Sequence, residues 1–361
     1  MSLGAFRLKR SRDATVPPPL LCRWDLDKTY LRSEFETIRQ LLRTAFERGE
    51  DKVDVPGVVE LIKAIRDAAE RRHQPCRTLF VSASPPQIGK AIRAKLDLDG
   101  VPYDGIVFKN QLQHLRPGKL RNLREHVGFK LVALLRGRLE EPPEARELLF
   151  GDDWESDSLI YSLYADVIAR RVEGVRLERI LRAVPVDPEL VREVLALAAR
   201  AAGADAVERV FINLERRTPP SIFRSFGQRV VPTFNYFQTA CVLGGMGRLE
   251  PADVVRVGQA LVGSAGYTPR RLENSLGDLV RRGHLPLRDA HALISPLRKA
   301  GLVPGPLRAS GWRRVLDAVE RLRERRRRVV GPSPEETAVD YEAILERLHT
   351  ATPAEASGGP A

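Results

Sequence analysis

Apolar residues alternate along the first 235 positions between short continuous runs and longer stretches with helical spacing. The helical spacing is clearest in DVPGVVELIKAIRDAAERR (54–72), where Val58, Leu61, Ile62 and Ile65 form one apolar stripe. Short runs bounded by polar turns predict buried strands, and five of them occur: LLCRWD (20–25), CRTLFVSAS (76–84), YDGIVFK (103–109), ARELLFGDD (145–153) and AVERVFINLERRTPP (206–220). This alternation predicts an α/β fold, a Rossmann-like parallel sheet with helices on both faces.

The same pattern predicts how the chain is divided. Residues 1–19 end in PPP and are expected to form a flexible arm. Residues 20–235 carry the predicted sheet, with a helical insertion at about 176–207 and a small cap segment; helical spacing also occurs at 35–46. Residues 236–350 have mainly helical patterns and predict a helical C-terminal region. The small residues of 351–361 predict a disordered tail.

Composition narrows the class of protein. A chain of 361 residues with 43% hydrophobic residues can bury a full core. Its 59 Lys and Arg against 47 Asp and Glu give a net charge of +12, which attracts phosphorylated metabolites, acidic lipid or nucleic acid. The three cysteines are far apart in sequence, which fits neither a disulfide framework nor a CxxC site. Without an apolar leader or membrane-spanning stretch, we expect a cytoplasmic protein, with peripheral membrane association left open.

Polar side chains end three of the predicted strands. Asp25 and Asp27 follow the first strand, Ser82 ends the second, and an acidic pair ends the strand ELLFG. Two carboxylates this close repel each other unless water or a divalent cation offsets their charge. The spacing of the first pair alone also fits an ordinary acidic turn. Because ligands of such sheets bind at the carboxyl ends of the strands, the shared position favours a functional site.

Four segments in order resemble the motifs of the haloacid dehalogenase-like phosphatases. They are DLDKT (25–29), the serine ending the strand in LFVSAS (79–84), the lysine of VGFKLVALL (127–135) and FGDDWESD (150–157). Within that superfamily, VPGVVELIKAI, VSASP and GDDWESDSLIY are more similar to the actin-patch class of phosphatidate phosphatases and their bacterial relatives. Lys28, Pro86 and Ser158 depart from that pattern, which leaves the expected hydrolytic core intact and the substrate open.

The resemblance implies catalytic roles for individual residues. Asp25 resembles the nucleophile that becomes an aspartyl-phosphate, and Asp27 the acid and base that serves the leaving oxygen and then water. Ser82, with the adjacent Ala83, matches the position that holds the phosphoryl group, and Ser84 is the alternative serine. Lys130 matches the third motif. Lys109, at the end of a predicted strand, is the alternative, and either lysine could instead be ordinary surface charge.

The resemblance also implies a Mg²⁺ site. Asp152 is expected to bind the metal together with one oxygen of Asp25 and the backbone carbonyl of Asp27. Asp157 is expected to be a second acid at the metal, directly or through water. The structural alternative for Asp157 is an N-cap of the helix that begins at SLIYSL.

These observations lead to one expected function and two alternatives. The expected protein is a Mg²⁺-dependent phosphomonoester hydrolase that acts through an aspartyl-phosphate on phosphatidate or a similar lipid phosphate. One alternative is a related phosphatase of a soluble phosphate ester, and the other is a non-catalytic basic protein that binds membrane or nucleic acid. A phosphoacceptor signalling domain is disfavoured because it needs no second acid after Asp25.

The expected partners follow from the same reasoning. A phosphorylated substrate is expected, with a lipid phosphate as the preferred class, and nucleic acid is not. The basic run RLRERRRR (321–328) could contact an acidic membrane, and a solvated helix end is an equal alternative. The oligomeric state is left open.

Overall fold

The computed structural model describes residues 17–31, 54–84, 86–109, 125–154, 156–184, 186–201, 203–304 and 339–350. Three sequence-based expectations lie outside these residues: the helix at 35–46, the basic run at 321–328 and the tail at 351–361. Most of the predicted N-terminal arm also lies outside them.

A six-stranded parallel sheet forms the centre of the described structure, in the order β3-β2-β1-β4-β5-β6. The strands are β1 (Leu20–Asp25), β2 (Cys76–Ser82), β3 (Gly105–Phe108), β4 (Arg146–Asp152), β5 (Val207–Asn213) and β6 (Val230–Thr233). The predicted Rossmann-like α/β fold is therefore confirmed. The sequence did not predict β6, since VVPT is short and contains a proline, which removes one backbone donor from a strand.

Eleven α-helices connect or follow the strands within the described residues. Between the strands lie α1 (Val58–Arg71), α2 (Gly89–Leu98), α3 (Glu125–Leu139), α4 (Asp157–Ile168), α5 (Gly174–Ala183) and α6 (Pro188–Ala201). A 3-10 helix, Pro220–Phe226, lies between β5 and β6. After the sheet come α7 (Tyr236–Gly245), α8 (Pro251–Ala265), α9 (Pro269–Arg282), α10 (Leu287–Lys299) and α11 (Tyr341–Thr350).

Each face of the sheet is covered by its own hydrophobic core. On one face, Trp24, Phe80 and Phe150 pack with apolar residues of α1, α2 and α7 to α10. On the other face, Leu149 and Ile212 pack with residues of α3 to α6 and α11. Because side chains alternate across a strand, neighbouring residues of β4 contribute to opposite cores.

The helices after β6 share their core with the sheet. Phe237 of α7 is fully buried in the same cluster as Trp24 and Phe150, and the ring centroid of Tyr236 is 6.1 Å from that of Trp24. The sequence-based boundary at residue 235 stays a prediction. Among the described residues, no helix combines the length and the apolar character needed to cross a membrane.

Candidate active site

The carboxyl ends of four adjacent strands bring polar side chains to one edge of the sheet. Ser82 ends β2, Asp25 ends β1, Asp152 ends β4 and Asn213 ends β5. Asp152 and Asn213 are direct partners in the β4–β5 ladder, and Asp25 is the partner of the residue before Ser82. Residues that are 57 or more positions apart in sequence thus become neighbours through parallel pairing alone.

Lys130 forms the centre of a buried charge cluster. It lies on α3 and is fully buried, and its Nζ is 2.7 Å from Oδ1 of Asp25 and 2.5 Å from Oδ1 of Asp157. A buried ammonium is costly unless carboxylates pair with it, so this placement fits a charged lysine. Lys130, the preferred motif lysine, is therefore next to Asp25, and its role as the motif lysine stays a prediction. Lys109, the alternative, lies after β3, two strands from β1.

The acids of the fourth motif are held by side-chain and backbone contacts. Thr29 Oγ1 donates a hydrogen bond to Oδ2 of Asp152 at 3.1 Å, and the backbone N–H of Trp154 donates to Oδ1 of Asp152 at 2.7 Å. The backbone N–H of Asp152 donates to Oδ2 of Asp157 at 3.3 Å. Asp157 is the first residue of α4, Ser156 before it is the N-cap, and the Asp157 side chain contacts Lys130 and β4.

A metal ion fits this donor set. Carboxylate oxygens of Asp25, Asp152 and Asp157 all lie within 4.8 Å of one another, and all three residues are buried. Three buried carboxylates this close together repel one another, and a divalent cation would offset that repulsion. An all-oxygen set suits Mg²⁺ better than a soft transition metal. The carboxylate of Asp27 is outside this cluster, and the contribution of its backbone carbonyl stays a prediction.

Asp27 instead faces the second motif. Ser82 Oγ donates to Oδ2 of Asp27 at 2.9 Å, and Ser84 Oγ donates to Oδ1 of the same residue at 2.9 Å. The backbone N–H of Ser84 donates to Ser82 Oγ at 3.1 Å, so the turn through Ala83 brings both hydroxyls to one carboxylate. The structure therefore places the preferred serine and its alternative together. Asp27 is half-buried, whereas Asp25 is fully buried.

The loop after β1 (residues 26–31) makes two contacts at the site that the sequence did not predict. The backbone N–H of Leu26 donates to the carbonyl of Val81. Lys28, in the middle of the loop, has a left-handed backbone conformation with a φ of 64°. Thr29 donates to Asp152, as above, while its carbonyl accepts a 2.6 Å hydrogen bond from the Tyr236 hydroxyl. The threonine of DLDKT was a visible signal, whereas nothing near Tyr236 in the sequence indicated this contact.

Trp154 is a further residue that the sequence analysis did not assign. The residue is 42% exposed, and two cations lie over its ring, with Lys28 Nζ 5.0 Å and Arg216 Cζ 5.1 Å from the ring centroid. Asp153 fixes the loop that carries Arg216 by accepting the backbone N–H groups of Arg216 and Thr218. Cations over an aromatic face attract it electrostatically. The position of Trp154 within GDDWESD was the available signal.

Two buried tyrosines border the acidic cluster as neutral donors. Burial raises the pKa of Tyr161 well above its ordinary value, and the negative charge of Asp157 raises it further. Burial likewise raises the pKa of Tyr236, with added effects of Glu215 and Asp152. Both phenols keep their protons, so Tyr236 can donate to the Thr29 carbonyl across the ordinary pH range.

Comparison with known proteins agrees with this geometry. Residues 24–179 match the family model described as phosphatidate phosphatase APP1, catalytic domain, and the matched region contains all four motifs. No curated protein and no solved structure matches the chain. The match starts at the end of β1, next to Asp25, and continues through α4 into α5. Over residues 24–179, the chain is therefore similar to the phosphatidate phosphatase APP1 catalytic domain, whose family is a family of phosphatases.

Proposed function

We propose that this protein is a Mg²⁺-dependent phosphomonoester hydrolase that acts on phosphatidate or a similar lipid phosphate through an aspartyl-phosphate at Asp25. The observation that carries the proposal is the position of Asp25. Its carboxylate ends the central strand β1, contacts the buried Lys130, and lies within 4.8 Å of two further carboxylates that could share a cation. This arrangement supplies a fixed nucleophile and positive charge at one place.

The first step is transfer of the phosphoryl group to Asp25. A carboxylate oxygen of Asp25 attacks phosphorus, and the contact between Lys130 and Oδ1 of Asp25 keeps this carboxylate in position. As the new P–O bond forms, the bond to the ester oxygen breaks, and its electron pair stays on that oxygen. Asp27 gives a proton to the departing alkoxide. In the structure, the hydroxyls of Ser82 and Ser84 donate to Asp27. When substrate binds, these hydroxyls donate to the phosphoryl oxygens instead.

The second step returns the enzyme to its starting state. Asp27, now deprotonated, takes a proton from water, and the water oxygen attacks the phosphorus of the aspartyl-phosphate. The bond from phosphorus to Asp25 breaks, which restores the Asp25 carboxylate and releases inorganic phosphate. Asp27 therefore ends the cycle protonated and ready for the next leaving group.

Mg²⁺ would be bound by Asp25, Asp152 and Asp157. When bound, it would supply positive charge to the phosphoryl oxygens as a Lewis acid. Thr29 orients Asp152 from one side, and the backbone N–H of Asp152 orients Asp157 from the other. These contacts keep the three carboxylates converged, which their mutual repulsion would otherwise oppose.

The choice of a lipid phosphate rests on the family. The matched model is described by its activity on phosphatidate, and the match includes the predicted nucleophile and its supporting acids. A soluble phosphate ester remains the competing substrate. A direct comparison of the two substrates therefore belongs in the main experiment.

The experiment measures phosphate release from phosphatidate in mixed micelles and from a soluble alkyl phosphate, with Mg²⁺ and with excess chelator. We expect Mg²⁺-dependent release, faster from phosphatidate, and loss of at least about three orders of magnitude in kcat for Asp25→Asn. Asp187→Asn is the matched control, because Asp187 lies outside the carboxylate cluster, and its side chain accepts the backbone N–H of Glu189 at the start of α6. Full activity of folded Asp25→Asn, or undiminished activity in chelator, would contradict the mechanism. Preference for the soluble ester would remove the lipid substrate.

A further inference from the structure

A cavity of about 430 Å³ opens beyond the ends of β5 and β6. Its volume is in the range of small-molecule sites. Its walls come from the loop after β5, the residues after β6 and one side of α9. We call it the β6 cavity; the lining residues that matter below are Arg217, Phe234, Asn235, Gln238, Arg271 and Arg281.

Positive charge dominates the lining of the β6 cavity. It includes three arginines and one acid, Asp278. Asp278 is already paired, with Arg281 at 3.6 Å and with Arg282, outside the lining, at 2.7 Å. Within the described part of the chain, Arg217 and Arg271 form no ion pair. Two cations therefore face the cavity without a compensating carboxylate.

The floor of the cavity is a buried, hydrogen-bonded polar network that keeps its shape. Asn235 Nδ2 donates to Ser275 Oγ at 3.1 Å, and Gln238 Nε2 donates to the Ser275 carbonyl at 2.9 Å. All three residues are buried. Arg271 is also held in place, because its Cζ lies 4.0 Å from the ring centroid of Tyr267. The cavity is thus formed in advance of any ligand.

We propose that the β6 cavity is a binding site for a phosphate group, separate from the catalytic site. Guanidinium groups match the geometry of phosphate oxygens through paired N–H donors, and two of them balance a phosphate dianion. Arg271 lies in the first turn of α9, which has no acidic residue. A cation is unfavourable at that end of a helix, and a bound anion offsets this cost. Exposed Phe234 offers an apolar contact to the molecule that carries the phosphate.

The position of the cavity separates it from Asp25. β1, β4, β5 and β6 are consecutive in the sheet, and neighbouring strands lie about 4.8 Å apart, so the cavity is on the order of 10–15 Å from Asp25. The site therefore goes beyond the proposed function and does not depend on it.

A second cavity, of about 510 Å³, differs from the β6 cavity in its charge balance. Its lining contains two cations, Lys63 and Arg256, and two acids, Asp67 and Asp97.

The test is binding of inorganic phosphate to the full chain in excess chelator, measured by isothermal titration calorimetry. We expect one phosphate per chain, and at least tenfold weaker binding in the double variant Arg217→Gln, Arg271→Gln. Asp25→Asn should bind as the unmodified protein does, because the catalytic acids are not involved. The double variant Lys63→Gln, Arg256→Gln, which removes the same two positive charges from the other cavity, is the matched control. Both arginines of the double variant are exposed, and a thermal melt checks that it stays folded.

The proposal is overturned if no saturable binding occurs in chelator, or if the double variant binds phosphate as tightly as the unmodified protein. A second arm distinguishes the source of the phosphate. Phosphatidylcholine vesicles with and without phosphatidate are sedimented with each variant in chelator. Sedimentation that needs phosphatidate and is lost in the double variant identifies a lipid headgroup. Binding of inorganic phosphate without such sedimentation identifies a soluble phosphate compound.

Discussion

At the scale of single residues, the two aspartates of DLDKT have distinct surroundings that predict distinct kinetic roles. Asp25 contacts a lysine, whereas Asp27 accepts hydrogen bonds from two serines. A carboxylate next to hydroxyl donors, half-exposed at the edge of the site, is placed to exchange protons with substrate and water. Asp25, fully buried, is placed to form a bond.

Asp27→Asn should therefore slow reactions in proportion to how much the leaving group needs a proton. We expect kcat to fall about 10²–10⁴-fold for an alkyl phosphate, with a smaller loss for p-nitrophenyl phosphate, whose leaving group departs as an anion. Steady-state kinetics with both esters measures the difference. An equal loss for the two esters would argue against Asp27 as the proton donor.

His284 predicts a dependence of stability on pH. Burial, together with the positive charges of Arg282 and Arg209, lowers the pKa of His284 from 6.5 to about 4. Below pH 6.5 His284 binds a proton in the unfolded chain but stays neutral in the folded protein down to about pH 4. The free energy of unfolding should therefore fall as the pH drops from 6.5 to about 4. The contribution is at most about 3 kcal/mol.

Urea unfolding at pH 7 and pH 4.5 tests this effect. His284→Gln should lose less stability between the two values than the unmodified protein, because glutamine takes up no proton. His73→Gln is the control for the substitution, because His73 is exposed and lies in a turn. The same loss of stability in both variants would show that other groups cause the pH dependence.

At the scale of elements, β4 and α4 approach each other so closely that Gly151 becomes essential. A Cβ at this position would lie 2.7 Å from the Cβ of Asp157, closer than real contacts allow. Gly151→Ala should push Asp157 away from Lys130 and from Asp152, and lower kcat at least tenfold even in folded protein. Phosphate release and a thermal melt, measured together, separate this effect from unfolding.

Gly263→Ala is the matched control for that substitution. Gly263 lies within α8, and an added Cβ there would meet nothing within 4 Å. Alanine is also the better helix former, so the variant should keep its activity and gain up to about 1 kcal/mol of stability. If Gly151→Ala were as active as Gly263→Ala, the placement of Asp157 would not matter for turnover.

The elements also show what could be read from the sequence. Apolar runs that end in Asp25, Ser82 and Asp152 identified three central strands and predicted that their ends meet, because parallel sheets of this kind carry ligands there. Motif order placed Lys130, and the structure puts it against Asp25. The contacts of α7 with the loop after β1 could not be predicted, since residues 207 positions apart meet only through tertiary packing.

At the scale of the whole molecule, the helices after β6 complete one face of the sheet. Trp24 stacks on Phe150 with ring centroids 3.7 Å apart, and Phe150 stacks on Phe211 at 5.3 Å. This aromatic layer belongs to the same buried cluster as Phe237, Val254 and Leu293 of α7, α8 and α10. Removal of those helices would expose the layer to water, at a cost of about 25 cal/mol per Å² of apolar surface.

A fragment of residues 1–235 should therefore lack a cooperative unfolding transition, although the sequence pattern places a boundary at that point. We expect a broad thermal melt by near-ultraviolet circular dichroism, and binding of a hydrophobic dye. A chain that ends at residue 350 is the control, because it keeps every described helix, and it should melt as the full chain does. A cooperative melt of the 1–235 fragment would establish an independent domain there.

The hydrogen bond from the Tyr236 hydroxyl to the Thr29 carbonyl connects the loop after β1 to the first turn of α7. Thr29 in turn holds Asp152, so detachment of α7 would release one of the acids that converge beside Asp25. Heating should for this reason abolish turnover and melt the C-terminal helices at the same temperature. Loss of activity on heating should therefore report the loss of packing between α7 and the sheet. We expect no temperature at which the enzyme is inactive and still fully folded.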